Sequence, residues 1–215
     1  PNILDVNKLI QILTNLGVEI EKKSESSYKF RANNINLGYL GSEDFKDNGQ
    51  RLRGSIMIVG PLLARFGKGS VPRPGGDKIG RRRLDTHFDG LTKLGAKFSH
   101  NRESSFFNLE ANELKGANIL LEEASVTGTA NIIMTAVLAQ GKTTIYNAAC
   151  EPYVQQLCKM LNKMGAKIQG EDTDKLIIDG VKELSPTNYS VMPDRIEIAT
   201  SVSYTHLTLP TSPKV

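Results

Sequence analysis

Three stretches of the chain share one alternation of apolar and polar residues that ends in a glycine. Residues 6–16 carry apolar side chains at helical spacing and stop before Gly17, which is typical of an amphipathic helix. The same pattern leads to Gly95 and to Gly165, at the position where helices commonly end in the left-handed conformation. A strand and a hairpin are predicted after each glycine, as in residues 175–180.

A second pattern precedes the last two of these stretches. Residues 55–66 and 125–140 predict apolar helices that end at Gly67 and Gly141. Because each is followed by a strand, the sequence predicts an α/β unit of helix, strand, helix, strand and hairpin that repeats about every 70 to 80 residues. The first unit lacks its leading helix, so we expect a native segment upstream of Pro1.

The composition is that of a folded chain without a membrane span. Hydrophobic residues make up 39% and charged residues 23% of the sequence, which is enough to bury an ordinary core. The longest apolar run, residues 56–64, contains Gly60 and Pro61 and falls well short of the roughly 20 residues that a span needs. The net charge of +4 suits anionic ligands as readily as nucleic acid.

The cysteines and histidines predict neither a disulfide framework nor a metal site. Cys150 and Cys158 are the only cysteines, and we expect both to be buried apolar residues in a protein of the reducing cytoplasm. His87 and His100 have no ligand partners at helical or hairpin spacing. The sequence therefore predicts no bound metal.

Residues 73–87, RPGGDKIGRRRLDTH, are the stretch that best suits chemistry. By composition alone they are typical of a solvated turn with a charge run, followed by a helix that starts near Asp85. The glycines, however, let a backbone approach a ligand closely. The arginine forks suit bidentate recognition of phosphate or carboxylate. Because no aromatic residues are interleaved, the stretch does not favour single-stranded nucleic acid.

The last residues differ from the rest of the chain. Residues 202–211, VSYTHLTLPT, are similar to a translated transposase sequencing adapter. We therefore expect residues 201–215 to be a non-native tail and residues 1–200 to be the native lobe. The alternative is a genuine tail rich in β-structure.

Five segments, in order and in spacing, resemble the UDP-N-acetylglucosamine enolpyruvyl transferase family. They are RGSIMIVGPLLARFG at 53–67, PGGDKIGRRRLDTH at 74–87, ASVTGT at 124–129, NAACEP at 147–152 and PDRIE at 193–197. The resemblance covers essentially all of residues 1–200. It implies one lobe of an inside-out α/β barrel, built from three pseudo-threefold α/β units of which the first is incomplete, with the active site facing a second lobe.

The resemblance also implies an activity. Members transfer the enolpyruvyl group of phosphoenolpyruvate to the 3-hydroxyl of UDP-N-acetylglucosamine and release phosphate, in the first committed step of peptidoglycan synthesis. It implies these two substrates as the binding partners, in the cytoplasm. It implies no cofactor, no nucleic acid, no membrane and no obligate protein partner.

The family's site residues carry over position by position. Arg53 would contact the nucleotide sugar and Arg82 phosphoenolpyruvate, while Asp77 would donate a proton to the methylene carbon of phosphoenolpyruvate. The stretch facing the uridine end would be Arg83, Leu84, Asp85 and Thr86, and the N–H groups facing the diphosphate would belong to Ser125, Val126 and Thr127.

Three departures from the family pattern accompany these assignments. The position of Asp77 is usually a cysteine, residues 83–86 replace a more common Pro-Val-Asp-Leu, and Glu123 stands where many members have a lysine.

Two other functions remain open at the level of sequence. The sister family that acts on shikimate 3-phosphate shares the fold, although not the stretch at 73–87. The arginines at 81–83 and the pI near 9.0 are also compatible with an RNA-handling protein on a related unit. A steep salt dependence of RNA affinity would support that function.

Overall fold

The computed structural model describes residues 2–75, 83–101 and 105–206, so Asp77 and Arg82 lie outside the described residues. The elements follow in chain order. They are α1 Leu4–Asn15, β1 Glu19–Ser24, β2 Ser27–Arg31, a 3₁₀ helix Leu37–Gly41, α2 Glu43–Gln50, a 3₁₀ helix Arg53–Ile58, α3 Val59–Phe66, β3 Lys68–Pro72, α4 Asp85–Lys93, β4 Lys97–Asn101, β5 Phe106–Glu110, β6 Asn118–Leu120, α5 Val126–Ala136, β7 Lys142–Tyr146, α6 Pro152–Lys163, β8 Lys167–Gln169, β9 Lys175–Asp179 and α7 Arg195–His206.

The glycines that end the predicted helices have left-handed backbones, as their positions indicate. The φ angle is 99° at Gly17, 106° at Gly95 and 102° at Gly165. At Gly17 a Cβ atom would also lie 2.3 Å from the backbone oxygen of Asn34. Only glycine meets both conditions at position 17 without strain, and the left-handed backbone by itself favours glycine at positions 95 and 165. These positions therefore mark where α1, α4 and α6 stop.

Three separate sheets within the described residues confirm the repeated unit. The first unit contributes the antiparallel pair β1-β2, the second unit (residues 53–110) the sheet β3-β5-β4, and the third unit (residues 118–179) the sheet β6-β7-β9-β8. In the second and third units the strand after the first helix pairs antiparallel with the last strand of the hairpin. The same connectivity therefore occurs twice, as the fold of one lobe requires.

Two predicted helices differ in their bounds from the structure. Residues 55–66 are not one α-helix, because the 3₁₀ helix Arg53–Ile58 leads into α3. Pro61 lies in the first turn of α3, where the missing N–H costs little, and it would interrupt an α-helix that began earlier. Residues 125–140 give α5 only as far as Ala136, because the N–H groups of Leu138 and Ala139 bond three residues back and tighten the chain into 3₁₀ turns.

Helix α5 lies at the centre of one continuous core and contacts α3, α4 and α6. At Gly60 of α3 a Cβ atom would lie 2.6 Å from the backbone oxygen of Asn131 in α5, and at Gly90 of α4 it would lie 2.2 Å from Cδ1 of Ile132. These glycines let both helices approach α5 closely, which brings the starts of α4 and α5 together.

The cysteine prediction is right for one residue and wrong for the other. Cys158 is buried on the inner face of α6, and burial raises the pKa of its thiol to about 12. Cys150 is exposed, because it lies in the connection before α6, where no apolar periodicity directs a side chain inward.

Helix α7 differs from the others because none of its residues is buried. Residues 201–206 continue this helix, which contradicts a β-rich tail over that part. The non-native tail at 201–215 stays a prediction, and residues 207–215 lie outside the described part of the chain. Among the described residues, no helix has the length and apolar character needed to cross a bilayer.

Candidate functional site at two helix starts

Three segments that are far apart in the chain meet at the N-terminal ends of α4 and α5. The guanidinium of Arg53 donates from Nη2 to the backbone oxygen of Arg83 over 3.0 Å. The hydroxyl of Thr86 donates to Oε1 of Glu123 over 3.3 Å, which joins the first turn of α4 to the residues before α5. We call this region the helix-start site, and it consists of Arg53, residues 83–86 and residues 125–127.

The start of α5 has the form of an anion site. The Oγ of Ser125 accepts a hydrogen bond from the backbone N–H of Gly128 over 3.2 Å, so Ser125 is the N-cap and the helix begins at Val126 rather than at Ser125. The first N–H groups of a helix have no partner within it, and the helix dipole makes this end partly positive. Val126 packs partly against the core, so its backbone rather than its side chain remains at the helix end.

Arg83 is held by acidic neighbours on both sides. Its Nε lies 2.6 Å from Oδ2 of Asp85, and its Nη2 lies 3.4 Å from Oε2 of Glu122. The hydrogen bond to Asp85, followed by the charges of the acidic neighbours, raises the pKa of Arg83. The pairs are exposed and add little stability, but they orient the guanidinium beside the start of α4.

Asp85 and Leu84 set the start of α4 in different ways. Asp85 is the first residue of the helix, as predicted, where its carboxylate is favoured by the helix dipole. Leu84 is half-buried and packs against the core. We infer that Leu84 anchors this turn, and that the contacts assigned to it would come from its backbone.

A buried polar pair, His87 and Asn131, lies behind the helix-start site. His87 is 1% exposed, and its Nε2 lies 3.1 Å from Oγ1 of Thr127, which is exposed at the start of α5. Its Nδ1 lies 2.9 Å from Nδ2 of Asn131. Burial, and secondarily the charge of Arg53, lower the pKa of His87 from 6.5 to about 4. The imidazole is therefore neutral at physiological pH.

The structure brings together every predicted site residue that it describes. Arg53 contacts Arg83 directly, and the Thr86–Glu123 and His87–Thr127 contacts join the start of α4 to the start of α5. Asp77 and Arg82 lie outside the described residues. Their assignments therefore stay predictions.

Sequence reasoning gave no role to His87, Asn131 or Glu122. His87 falls within the segment PGGDKIGRRRLDTH, and Asn131 directly precedes the apolar residues 132–134 in α5. A polar residue at a core position needs a partner, since burial without one is costly. That rule could have marked Asn131, but its partners in α4 and in the 3₁₀ helix could not be read from the pattern.

A groove of about 320 Å³ opens beside the helix-start site, between α4 and β6. Thr86 and Glu122 line its near end, and Lys93 and Leu120 lie further along it. Leu120 is 66% exposed. The groove thus offers both apolar and charged surface next to Arg83. Among the described residues, no group of three His, Cys, Asp or Glu side chains could hold a metal ion.

A chain with this repeated unit and two converging helix starts belongs to a known family of α/β proteins. The model of the EPSP synthase (3-phosphoshikimate 1-carboxyvinyltransferase) family matches residues 1–208, and the chain belongs to that family. Within it, the chain is 57% identical over 208 residues to the UDP-N-acetylglucosamine 1-carboxyvinyltransferase of Bacteroides fragilis. It is 51% identical to the protein of that name from Porphyromonas gingivalis and 46% identical to that of Treponema denticola. The resemblance read from the sequence is thereby confirmed.

These alignments cover 97% of the chain but only 47–48% of each relative. The chain therefore spans about half the length of the curated relatives that it matches.

Solved structures confirm the predicted fold. The enolpyruvyl transferase NikO from Streptomyces tendae superposes with a TM-score of 0.76 at 18% identity, over 94% of this chain and 47% of that protein. EPSP synthase from Acinetobacter baumannii gives a TM-score of 0.60 at 20% identity, over 86% of this chain and 41% of that protein. At these identities the likeness concerns the fold alone, and in both cases less than half of the larger protein is matched.

Proposed function

We propose that the protein to which this chain contributes transfers the enolpyruvyl group of phosphoenolpyruvate to the 3-hydroxyl of UDP-N-acetylglucosamine, with release of phosphate. The observation that carries the proposal is the capped start of α5, which the Thr86–Glu123 bond joins to the start of α4, where Arg53 contacts Arg83. Both substrates are polyanions, and a helix start flanked by arginines suits phosphate oxygens. The name shared by the curated relatives supports the same substrate pair.

In this proposal the helix-start site holds the nucleotide sugar. Arg53 would contact the sugar, residues 83–86 the uridine end, and the backbone N–H groups of Val126 and Thr127 the diphosphate. The N–H of Ser125 already donates to the backbone oxygen of Glu123 over 2.8 Å. Glu123 carries a negative charge just before α5 and accepts from Thr86. Glu123 would therefore orient Thr86, since a carboxylate would repel the diphosphate.

The reacting groups belong to Asp77 and Arg82. Arg82 would offset the charge of phosphoenolpyruvate, and Asp77 would protonate its methylene carbon while the sugar hydroxyl adds to the neighbouring carbon. Because the product keeps its vinyl group, the methyl group formed in this way must return one of its protons to the Asp77 carboxylate as phosphate departs. The proton of the sugar hydroxyl leaves with the phosphate, so that the step balances. A free aspartic acid has a pKa of about 3.9, against about 8.5 for cysteine. The like charges of bound phosphoenolpyruvate would favour the protonated carboxyl that this role needs.

The proposed reaction belongs to the first committed step of peptidoglycan synthesis. We propose the cytoplasm as its location, and through cell-wall synthesis a contribution to cell shape and cell division.

The test is a chimera in which residues 1–200 replace the matching segment of the Bacteroides fragilis relative. We expect phosphate release from phosphoenolpyruvate when UDP-N-acetylglucosamine is added, at a rate within about tenfold of the parent relative. Shikimate 3-phosphate is the comparison substrate and should give no release. A chimera with a native circular dichroism spectrum that uses only shikimate 3-phosphate, or neither acceptor, contradicts the proposal.

A further inference from the structure

The orientation of the Asn131 side-chain amide is fixed by two backbone groups. Its Oδ1 accepts from the N–H of Gly60 over 2.9 Å, and its Nδ2 donates to the backbone oxygen of Ile56 over 2.9 Å. A flipped amide would oppose donor to donor and acceptor to acceptor. The Nδ2 group, with its second hydrogen, is therefore the atom that faces Nδ1 of His87.

This orientation determines which nitrogen of His87 carries the hydrogen. Because Asn131 donates to Nδ1, Nδ1 is the unprotonated acceptor of a neutral ring, and the hydrogen resides on Nε2. Nε2 lies 3.1 Å from Oγ1 of Thr127. The imidazole therefore donates to the Thr127 oxygen.

The consequence concerns the hydroxyl of Thr127, on the exposed side of the site. A hydroxyl has one hydrogen to donate, and since the Thr127 oxygen accepts from His87 behind it, its own O–H must point away from the imidazole. Thr127 is the second residue of α5 and is exposed, whereas His87 and Asn131 are 1% and 0% exposed. The buried pair thus turns a rotating hydroxyl into a donor with a preferred direction.

We propose that His87 and Asn131 are positioning residues that fix the hydroxyl of Thr127 as a hydrogen-bond donor to the diphosphate of the bound nucleotide sugar. This inference rests on the proposed function and adds a side-chain contact to the backbone contacts assigned there. It also makes Thr127 a determinant of affinity for a phosphate-bearing acceptor.

We call the hydrogen-bond chain from Asn131 through His87 to Thr127 the relay. Its direct test is ¹⁵N NMR of the imidazole in the 215-residue chain. We expect the pyrrole-type shift at Nε2 of His87 and the pyridine-type shift at Nδ1. A hydrogen on Nδ1, or a doubly protonated ring at pH 7, would overturn the inference whatever the enzyme does.

The functional test uses the chimera. Thr127→Val keeps the shape and the backbone N–H, and we expect it to raise KM for UDP-N-acetylglucosamine about tenfold with kcat unchanged, as for one lost bond to a charged group. Thr127→Ser should stay within about twofold of the unaltered chimera. Thr14→Val, at another exposed helical threonine, is the matched control and should change nothing. A wild-type KM for Thr127→Val overturns the inference.

A double-mutant cycle tests the coupling through His87. His87→Gln can still donate from the position of Nε2, whereas His87→Asn reaches only the position of Nδ1. We expect the tenfold effect of Thr127→Val to persist with glutamine and to shrink below about threefold with asparagine. An undiminished effect in the asparagine background, or loss of the effect in both, contradicts the relay. Turnover by the unaltered chimera separates this failure from failure of the proposed function.

Discussion

The second and third units share one connectivity but differ in the segment that joins the first strand to the second helix. In the second unit residues 73–84 run from β3 to α4, whereas in the third unit residues 147–151 run from β7 to α6. The long connection carries all three glycines and all four cations of the PGGDKIGRRRLDTH segment. The short one is fixed by a left-handed backbone at Asn147, whose φ is 56°, and by a hydrogen bond from the N–H of Ala149 to Oγ1 of Thr129 in α5.

The starts of the first helices differ in a complementary way. Helix α3 begins without a side-chain cap, and its first turn is packed against α5 at Gly60. Helix α5 begins at a capped and partly open end. One unit therefore supplies an open helix start and the other a long cationic connection. A repeated frame can build a site in this way without repeating its chemistry.

The largest expected effect comes from replacing Asp77, which belongs to the long connection. In the chimera, Asp77→Ala should lower kcat by a factor of about 1000, within the range for loss of a general acid. The loss should appear in the rate of phosphate release, whereas the affinity for UDP-N-acetylglucosamine should stay nearly unchanged. Retention of more than about a tenth of the turnover would contradict the role given to Asp77.

The same position should decide sensitivity to fosfomycin, which alkylates the thiol of Cys-bearing members of the family. A carboxylate is a far poorer nucleophile than a thiolate, so the unaltered chimera should resist inactivation and Asp77→Cys should become sensitive. Mass spectrometry of the intact protein checks this, with Cys150→Ser as the control for the exposed thiol. A covalent adduct on the unaltered chimera, with loss of activity, would refute the replacement of thiol by carboxylate.

The next effect concerns charge in the same connection. Arg82→Ala should weaken kcat/KM for phosphoenolpyruvate by roughly 2–4 kcal/mol, since a charge-assisted contact is lost. Arg82→Lys should recover only part, because a point charge replaces a planar fork. Steady-state kinetics at saturating nucleotide sugar measures both, and wild-type kinetics for Arg82→Ala would show that the assignment is wrong.

The third effect is on the pH dependence of the free energy of unfolding. It arises at the junction of the two units, where the pKa of His87 is lowered from 6.5 to about 4. Between these values the unfolded chain binds a proton that the folded chain does not, so the free energy of unfolding falls as pH falls. The stability that the neutral His87 contributes is complete above pH 6.5 and is lost by about pH 4. One pKa unit corresponds to about 1.4 kcal/mol, so the loss should approach about 3 kcal/mol.

Urea unfolding at pH 7 and pH 4.5 measures this dependence. His87→Gln should flatten it, whereas His100→Gln, at an exposed histidine in β4, should leave it as it is. Equal slopes for the unaltered chain and His87→Gln would contradict a buried neutral imidazole.

The smallest expected effect comes from a substitution that opposes the close approach of α3 to α5. Gly60→Ala would place a Cβ atom 2.6 Å from the backbone oxygen of Asn131, which a rotamer change cannot relieve. We expect a loss of about 2 kcal/mol in the free energy of unfolding, as for overpacking in a core. Gly41→Ala, with no atom within 4 Å of the added Cβ, is the control. Similar urea midpoints for the two variants would show that the helices can separate at no cost.

Several features of this protein were determined by the sequence alone, because their causes are local. Gly17, Gly95 and Gly165 adopt a left-handed backbone that other residues reach only with strain, so the helix ends and the repeat could be read from their spacing. Ser125 and Asp85 mark helix starts for an equally local reason, since each lies where a side chain favours the first turn.

Only the tertiary structure decided which polar side chains meet. Arg53 and Arg83 are 30 residues apart, Thr86 and Glu123 are 37, and Asn131 and Ile56 are 75. These contacts depend on how closely α3 and α4 approach α5. Packing across the core sets that distance, and such packing produces no periodic pattern in the sequence. For the same reason a local pattern could not show that a neutral histidine lies behind Thr127.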